Sequence, residues 1–196
     1  MFSLPVLAMA SLFFAKPLSS PPSMPKVSAN LQKSIKDRPI RANYLITAAD
    51  DFIVSAYLNG KEVDVSKRTM LWERFGATME QIDVVVRKGD WLVFNVVNNR
   101  LRWNGCSYFG VAGCYAKDEF GFVSTRDGAQ WSACDNAKDS EKFITKKEWG
   151  RNRPVSKPEK DWDFGLTGMK SCAGDHWNGQ SVWGSSRNTW IKIVVE

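Results

Sequence analysis

An all-β fold, an antiparallel sandwich of the jelly-roll kind, is the class this 196-residue chain predicts, and three observations predict it. Short runs of alternating apolar and polar residues recur from residue 41 onward, the period of a strand with one face buried. Two of the junctions between runs carry strong turn signals, Asn59-Gly60 and Lys88-Gly89-Asp90. Helical periodicity is nearly absent, and the one long stretch without strand pattern, 126–188, reads as a mostly irregular insertion containing a short helix.

The elements follow in order. "RANYLITA" (41–48) is the first strand, and "FIVSAYL" (52–58) the second. "KEVDV" (61–65) returns from Asn59-Gly60, a pair that tolerates the positive φ of a type I′ turn. Residues 66–79 read as a loop. "EQIDVVVR" (80–87) and "WLVFNVV" (91–97) flank the "KGD" turn, then "SYFGVAG" (107–113) and "EFGFVST" (119–125) follow. The insertion is expected to hold a helix around 138–148 and one more strand pair. "TWIKIVVE" (189–196) closes the chain, and its strand (189–195) belongs in the same core as the first.

Composition bounds the function. Hydrophobic residues make up 43% of the chain, enough for one sizeable core. The net charge of +6 is modest, and nucleic-acid binding needs such charge gathered on one face. The densest basic run, 146–160, has six Lys/Arg against two Glu and reads as a solvated loop. No nucleic-acid partner is expected. Residues 2–15 form an uncharged apolar run with the length of a signal-peptide core, too short to span a bilayer as a helix. Pro5 and the Pro/Ser-rich stretch after it argue against the alternative of a buried N-terminal helix. The expected organisation is therefore a signal peptide (1–20), a flexible leader (21–40) and one domain (41–196), secreted or held at the cell surface or in a periplasm. No transmembrane segment is expected after cleavage. In that setting the four cysteines, Cys106, Cys114, Cys134 and Cys172, are disulfide candidates with the pairing open.

"AADDFIVSAYLNGKEV" (48–63) resembles the hairpin of galactose-binding-like jelly-roll domains, through Ala49, Asp50, Asp51, Phe52, Val54, Tyr57, Asn59, Gly60, Lys61 and Val63. "VVVRKGDWLVFNVVN" (84–98) is similar to their later hairpin. Together the two cover roughly a sixth of the chain. The resemblance implies the fold first, and then a sugar-binding module of the carbohydrate-binding type with no catalysis of its own, acting on a glycan or cell-envelope polysaccharide. The competing expectation is a structural or protein-interaction module of a cell envelope.

Connection parity locates a candidate site. In antiparallel strands, successive connections alternate between the two ends. Asp50-Asp51, the loop 66–79, the loop 98–106 and the insertion then share one end, and the tight turns occupy the other. Loops on a rigid scaffold are where binding residues gather. At the favoured end, Asp50 and Asp51 suit calcium or sugar hydroxyls as hard oxygen acceptors; equally, they suit capping of the turn before the strand. Calcium is the one cofactor left open. The loop tryptophans Trp103, Trp131, Trp177 and Trp183 offer stacking faces. Arg102 and Asn104 flank the first, and Asp175, His176 and Asn178 flank the third. The competing reading has these rings plugging the ends of the sandwich. His176 is the only histidine, and no nucleophile-elbow, zinc-protease or phosphate-loop pattern occurs, so no catalytic residue is assigned.

Overall fold

A computed structural model of the chain describes residues 37–74, 77–98, 107–116, 119–123, 131–148 and 182–196, all within the unit Asp37–Glu196. The strands are β1 (Ile40–Ala42), β2 (Tyr44–Asp50), β3 (Phe52–Leu58), β4 (Lys61–Glu62), β5 (Arg68–Arg74), β6 (Ala77–Ile82), β7 (Val86–Arg87), β8 (Trp91–Val97), β9 (Phe109–Ala116), β10 (Glu119–Val123), β11 (Trp131–Cys134) and β12 (Asn188–Val194). Among the described residues one helix, α1 (Ala137–Thr145), lies between β11 and β12, and one 3-10 turn (Val65–Lys67) precedes β5. The first sheet has the order β10-β9-β2-β6-β5 and the second β11-β12-β8-β3-β4, with β1 and β7 paired as a small ribbon. The observed pairings are antiparallel. The protein is an all-β antiparallel sandwich with one short helix.

The turns form for the reasons their sequences supply. Asn59 (φ 53°) and Gly60 (φ 79°) take left-handed backbone, the requirement of a two-residue hairpin turn. Gly89 does the same at φ 80°. Between the two sheets, Leu45, Ala49, Ile82, Phe109 and Val111 of the first meet Ile53, Leu92, Phe94, Val96, Ile191 and Ile193 of the second. Phe94 and Phe109 pack as a tilted pair, 4.9 Å between centroids. Trp131 meets Phe109 edge-on at 6.2 Å, the geometry favoured by ring quadrupoles.

Each sheet also buries apolar residues on its outer face. On the first, Ile46, Ala48, Met79, Tyr108, Ala112 and Cys114 form a second cluster. β2 is therefore buried on both faces, which is why "YLITAAD" runs apolar without strict alternation. On the second sheet, α1 covers Val93, Cys134 and Trp190 with Phe143 and Ile144. Asn136 caps α1 by accepting from the Lys138 N–H at 3.0 Å, and its amide donates to Asp139 at 3.1 Å, which satisfies one of the unpaired first-turn N–H groups. The expected helix is thus found as α1; of the expected extra strand pair, the described residues of the insertion hold one strand, β11, which pairs with the closing strand β12.

Two expectations need correction. Residues 66–79 are not a loop: they hold the 3-10 turn, β5 and the start of β6. A bulge between Met70 and Trp72 breaks the two-residue period of β5, so "RTMLWER" shows no alternation to read. Residues 80–87 are not one strand either. They divide into β6 and β7 around 83–85.

The same region supplies the tie between the sheets. Arg68, on edge strand β5, turns its guanidinium into the sandwich. It forms a two-pronged pair with Glu80, Nε to Oε2 at 2.8 Å and Nη2 to Oε1 at 3.0 Å. Nη2 also donates to the Ile53 carbonyl at 2.6 Å, and Nη1 to that of Val54 at 3.2 Å. Those carbonyls sit at a bulge of β3, where β4 is too short to pair; it reaches only Tyr57 and Leu58. One side chain of the first sheet therefore completes the hydrogen bonding of the second. Removing one member of a buried, bonded pair costs about 3–5 kcal/mol, because the other charge stays buried. Arg68→Met is expected to destabilise by that amount in denaturant unfolding, and Glu80→Leu added to it should restore a large part. An Arg68→Met protein within 0.5 kcal/mol of the parent, on the scale of an ordinary surface change, would contradict this account.

Candidate binding end of the sandwich

Strand pairing fixes which connections meet at one end. Asp50 pairs with Ala77, Ala49 with Phe109, Phe52 with Val97, and Asn188 with Val97. The crossover 50–51, the junction 75–76, both roots of 99–106 and the chain leading into β12 therefore meet there. At the opposite end Tyr44 pairs with Cys114, and the Asn59 N–H donates to the Trp91 carbonyl at 2.9 Å.

Asp50 and Asp51 carry the chain from one sheet to the other. Asp51 has φ 39°, a left-handed conformation that Asp accepts more readily than most residues. The Asp50 N–H donates to the Tyr108 carbonyl at 2.9 Å. Its Oδ1 accepts from the Asp51 N–H at 3.3 Å, and its Oδ2 from Asn98 Nδ2 at 3.0 Å. Asn98 Nδ2 donates also to Ser107 Oγ at 3.0 Å, and the Asn98 N–H reaches the Arg187 carbonyl at 2.8 Å. Asp50, Asn98 and Ser107 are each no more than 2% exposed. The Asp50 carboxylate thus fastens the crossover, capping the Asp51 N–H through Oδ1 and reaching Asn98 through Oδ2. The network also clamps the two roots of 99–106 together.

A second polar cluster stands nearby. Asp135 accepts from Ser185 Oγ at 2.6 Å, from the Ser185 N–H at 3.1 Å, and from Ser186 Oγ at 3.3 Å. Burial alone would raise its carboxyl, but hydrogen bonds from Ser185, Thr189 and Ser186 outweigh that and hold it below the usual value. A Cβ at Gly184 would collide with the Thr189 hydroxyl and the Asp135 carboxylate, so only glycine fits there. Asp135 fastens the segment that leads into β12.

The expected ligand residues divide in three. Asp50 and Asp51 are brought together with Asn98 and Ser107, in a buried network. Trp131 is not a stacking ring: it is 3% exposed and faces the core against Phe109, because it lies on β11 and not in a loop. Trp183 is buried likewise, its Nε1 donating to the Ser186 carbonyl at 2.8 Å. Arg102, Trp103, Asn104, Asp175, His176, Trp177 and Asn178 lie outside the described residues, as do Cys106 and Cys172. Cys114 and Cys134 are not joined to each other; they lie on the outer faces of different sheets. The Cys134 thiol is free, and burial pushes its pKa up. No group of three metal-ligating side chains occurs among the described residues.

The sequence reading missed Asn98 and Ser107, two ordinary polar residues whose partners are distant in the chain. It also missed Asp90, which holds the opposite end. Asp90 is 2% exposed; its Oδ1 accepts from Asn59 Nδ2 at 3.0 Å, and also from Arg38, while its Oδ2 accepts from the Arg87 N–H at 2.8 Å. The Gly-Asp turn was the available signal. Beside that end, an open groove of about 710 Å³ is lined by Leu58, Lys61, Glu62, Asp64, Lys67 and Val84. Its charged side chains are solvated and of both signs.

Comparison with protein-family models, with curated proteins and with solved structures yields no match. The chemistry of the described end is that of a fastened frame. Asn98→Ala, which removes the donor to Asp50 and Ser107, is expected to cost about 1–3 kcal/mol, the penalty for withdrawing a partner from buried polar groups. Asn98→Asp should cost more, since it sets a second carboxylate against Asp50. Thermal unfolding reads both, and Asn98→Asp equal to the parent would refute the network.

Proposed function

We propose that this chain is an exported, non-catalytic carbohydrate-binding module that holds its ligand at the end bearing Asp50, Asn98 and Ser107. One observation carries the reading: the connections richest in aromatic and planar polar residues leave the sandwich there, from roots held rigid by buried hydrogen bonds. Trp103, with Arg102 and Asn104, belongs to the connection between Asn98 and Ser107. The segment Asp175, His176, Trp177 and Asn178 precedes Val182, whose N–H donates to the Phe109 carbonyl at 3.0 Å at this end. A fixed frame lowers the ordering cost of binding. Rings with amide, guanidinium and carboxylate neighbours suit the apolar faces and hydroxyls of a sugar. The resemblance of 48–63 and 84–98 to galactose-binding-like domains supports the same class.

A second reading, an interaction module of a cell envelope, is favoured by the apolar residues left exposed on neighbouring edges. Phe52 and Val54 on β3, and Met70 and Leu71 on β5, are between 39% and 49% exposed. Apolar surface left exposed at sheet edges is one mark of a protein contact.

A glycan array, run with and without calcium, separates the readings. Binding is expected for the first, and silence across neutral and acidic glycans would favour the second. Calorimetry on Trp103→Ala and Trp177→Ala should show losses of roughly 1–3 kcal/mol, the scale of one large aromatic ring withdrawn from contact. If both variants stay folded and bind an identified glycan as tightly as the parent, the site lies elsewhere.

A further inference from the structure

Lys192 is the most unusual charge among the described residues. It lies on β12, opposite Val93 and Ser132 on the outer face of the second sheet, and is 1% exposed beneath α1. Its Nζ donates to the Lys146 carbonyl at 2.8 Å and stands 4.1 Å from the centre of the Phe143 ring. No carboxylate forms an ion pair with it among the described residues. A buried ammonium with one carbonyl and one ring face for company is held at a cost. Both contacts come from α1 and its C-cap, so moving that one helix returns the amine to water.

We propose that α1 is a cover over Lys192 whose opening is controlled by the proton on that amine. The helix is suited to the part. Of its nine residues only Phe143 is buried. Its end is held by two side chains of the sheet, Lys192 and Trp91, whose Nε1 donates to the Ile144 carbonyl at 2.9 Å. Opening would also uncover the Cys134 thiol.

The direction follows from burial. Desolvation lowers the covered amine from its ordinary 10.5 to about 8, while in the open state it returns toward the ordinary value. Below pH 8 both states are protonated and opening is constant. Between pH 8 and 10.5 the covered amine has lost its proton and the open one has not, so raising pH closes the helix. The other groups around Lys192 are few. Cys134 on β11 is the titratable neighbour, with Asp135 and Asp139 acting on it in turn. β8 contributes Val93, Asn95 and Trp91, without charge, and Lys142 and Lys146 of the α1 region are exposed. Cys134, raised above 9.0 by burial, works in the opposite sense, favouring opening only once pH exceeds its ordinary value.

Hydrogen exchange followed by mass spectrometry on the whole protein tests this, with the peptide covering 137–146 corrected for intrinsic exchange. The opening constant of the parent should fall roughly five- to tenfold between pH 7.5 and 9. Lys192→Met should be more protected at pH 7.5 and lose most of that slope. Removing the Lys192 charge lets the Cys134 thiol rise further, but that thiol acts only as pH passes its ordinary 9.0, at the upper edge of this window. Peptides of β8 should stay protected at every pH, showing that the motion is local. A flat profile in the parent overturns the proposal whether or not the variant folds, as does an unchanged slope in Lys192→Met, or α1 opening only together with β8.

Discussion

Two sheets form a sandwich only if the polar groups at their edges are satisfied as well as their apolar faces. In this protein that condition rests on Arg68. β4 ends after two residues, and β3 carries a bulge where its outer partner stops. The exposed Ile53 and Val54 carbonyls are met by a guanidinium from the opposite sheet, and Glu80 neutralises it from inside. The pair sits at side-chain exposures of 12% and 6%. It therefore couples the register of β5 against β6 to the position of β3. Everything at the far ends of those strands, including the Asp50–Asp51 crossover, inherits its place from that coupling.

The two ends of the sandwich are fastened by different means. Asp90 gathers two turns and Arg38 around one carboxylate, and a Val195 N–H bond to its carbonyl at 2.8 Å adds the last strand. At the other end, Asp50, Asn98 and Ser107 join the crossover to the roots of a connection. In each case a carboxylate meets donors supplied from separate elements, which is what makes a buried acid tolerable. The proposed binding reading starts from the second arrangement: what is fixed is the base of the connections.

Much of this was legible in the sequence, for physical reasons. Asn59-Gly60 and Gly89-Asp90 announce positive φ, so the β3–β4 hairpin and the turn between β7 and β8 could be placed; β7 and β8 are not a hairpin, since β7 pairs with β1 and β8 with β3 and β12. The parity of the connections up to β6 survived the unread β5, because β4 and β5 run the same way and count as one passage between the ends; the insertion does not sit wholly at the Asp50-Asp51 end, since β11 starts at Trp131, level with Ile193, Leu92 and Leu58 at the other. What was hidden depends on partners distant in the chain. β5 does not alternate because it is bulged. Trp131 reads as a loop residue because β11 is four residues long and ends in an irregular segment. Lys192 reads as the solvent-facing residue of an alternating strand, and only α1, folding back over it, makes it buried. Asn98 and Ser107 carry no local signal.

The central claim is that the Arg68 guanidinium is a fixed bridge between the two sheets. Nuclear magnetic resonance of the guanidinium protons tests it most directly. The account predicts an Arg68 Nε–H signal that exchanges slowly at neutral pH and shows proximity to the backbone protons of residues 53–55 on β3. A signal exchanging as fast as those of surface arginines, with contacts confined to β5 and β6, would contradict it.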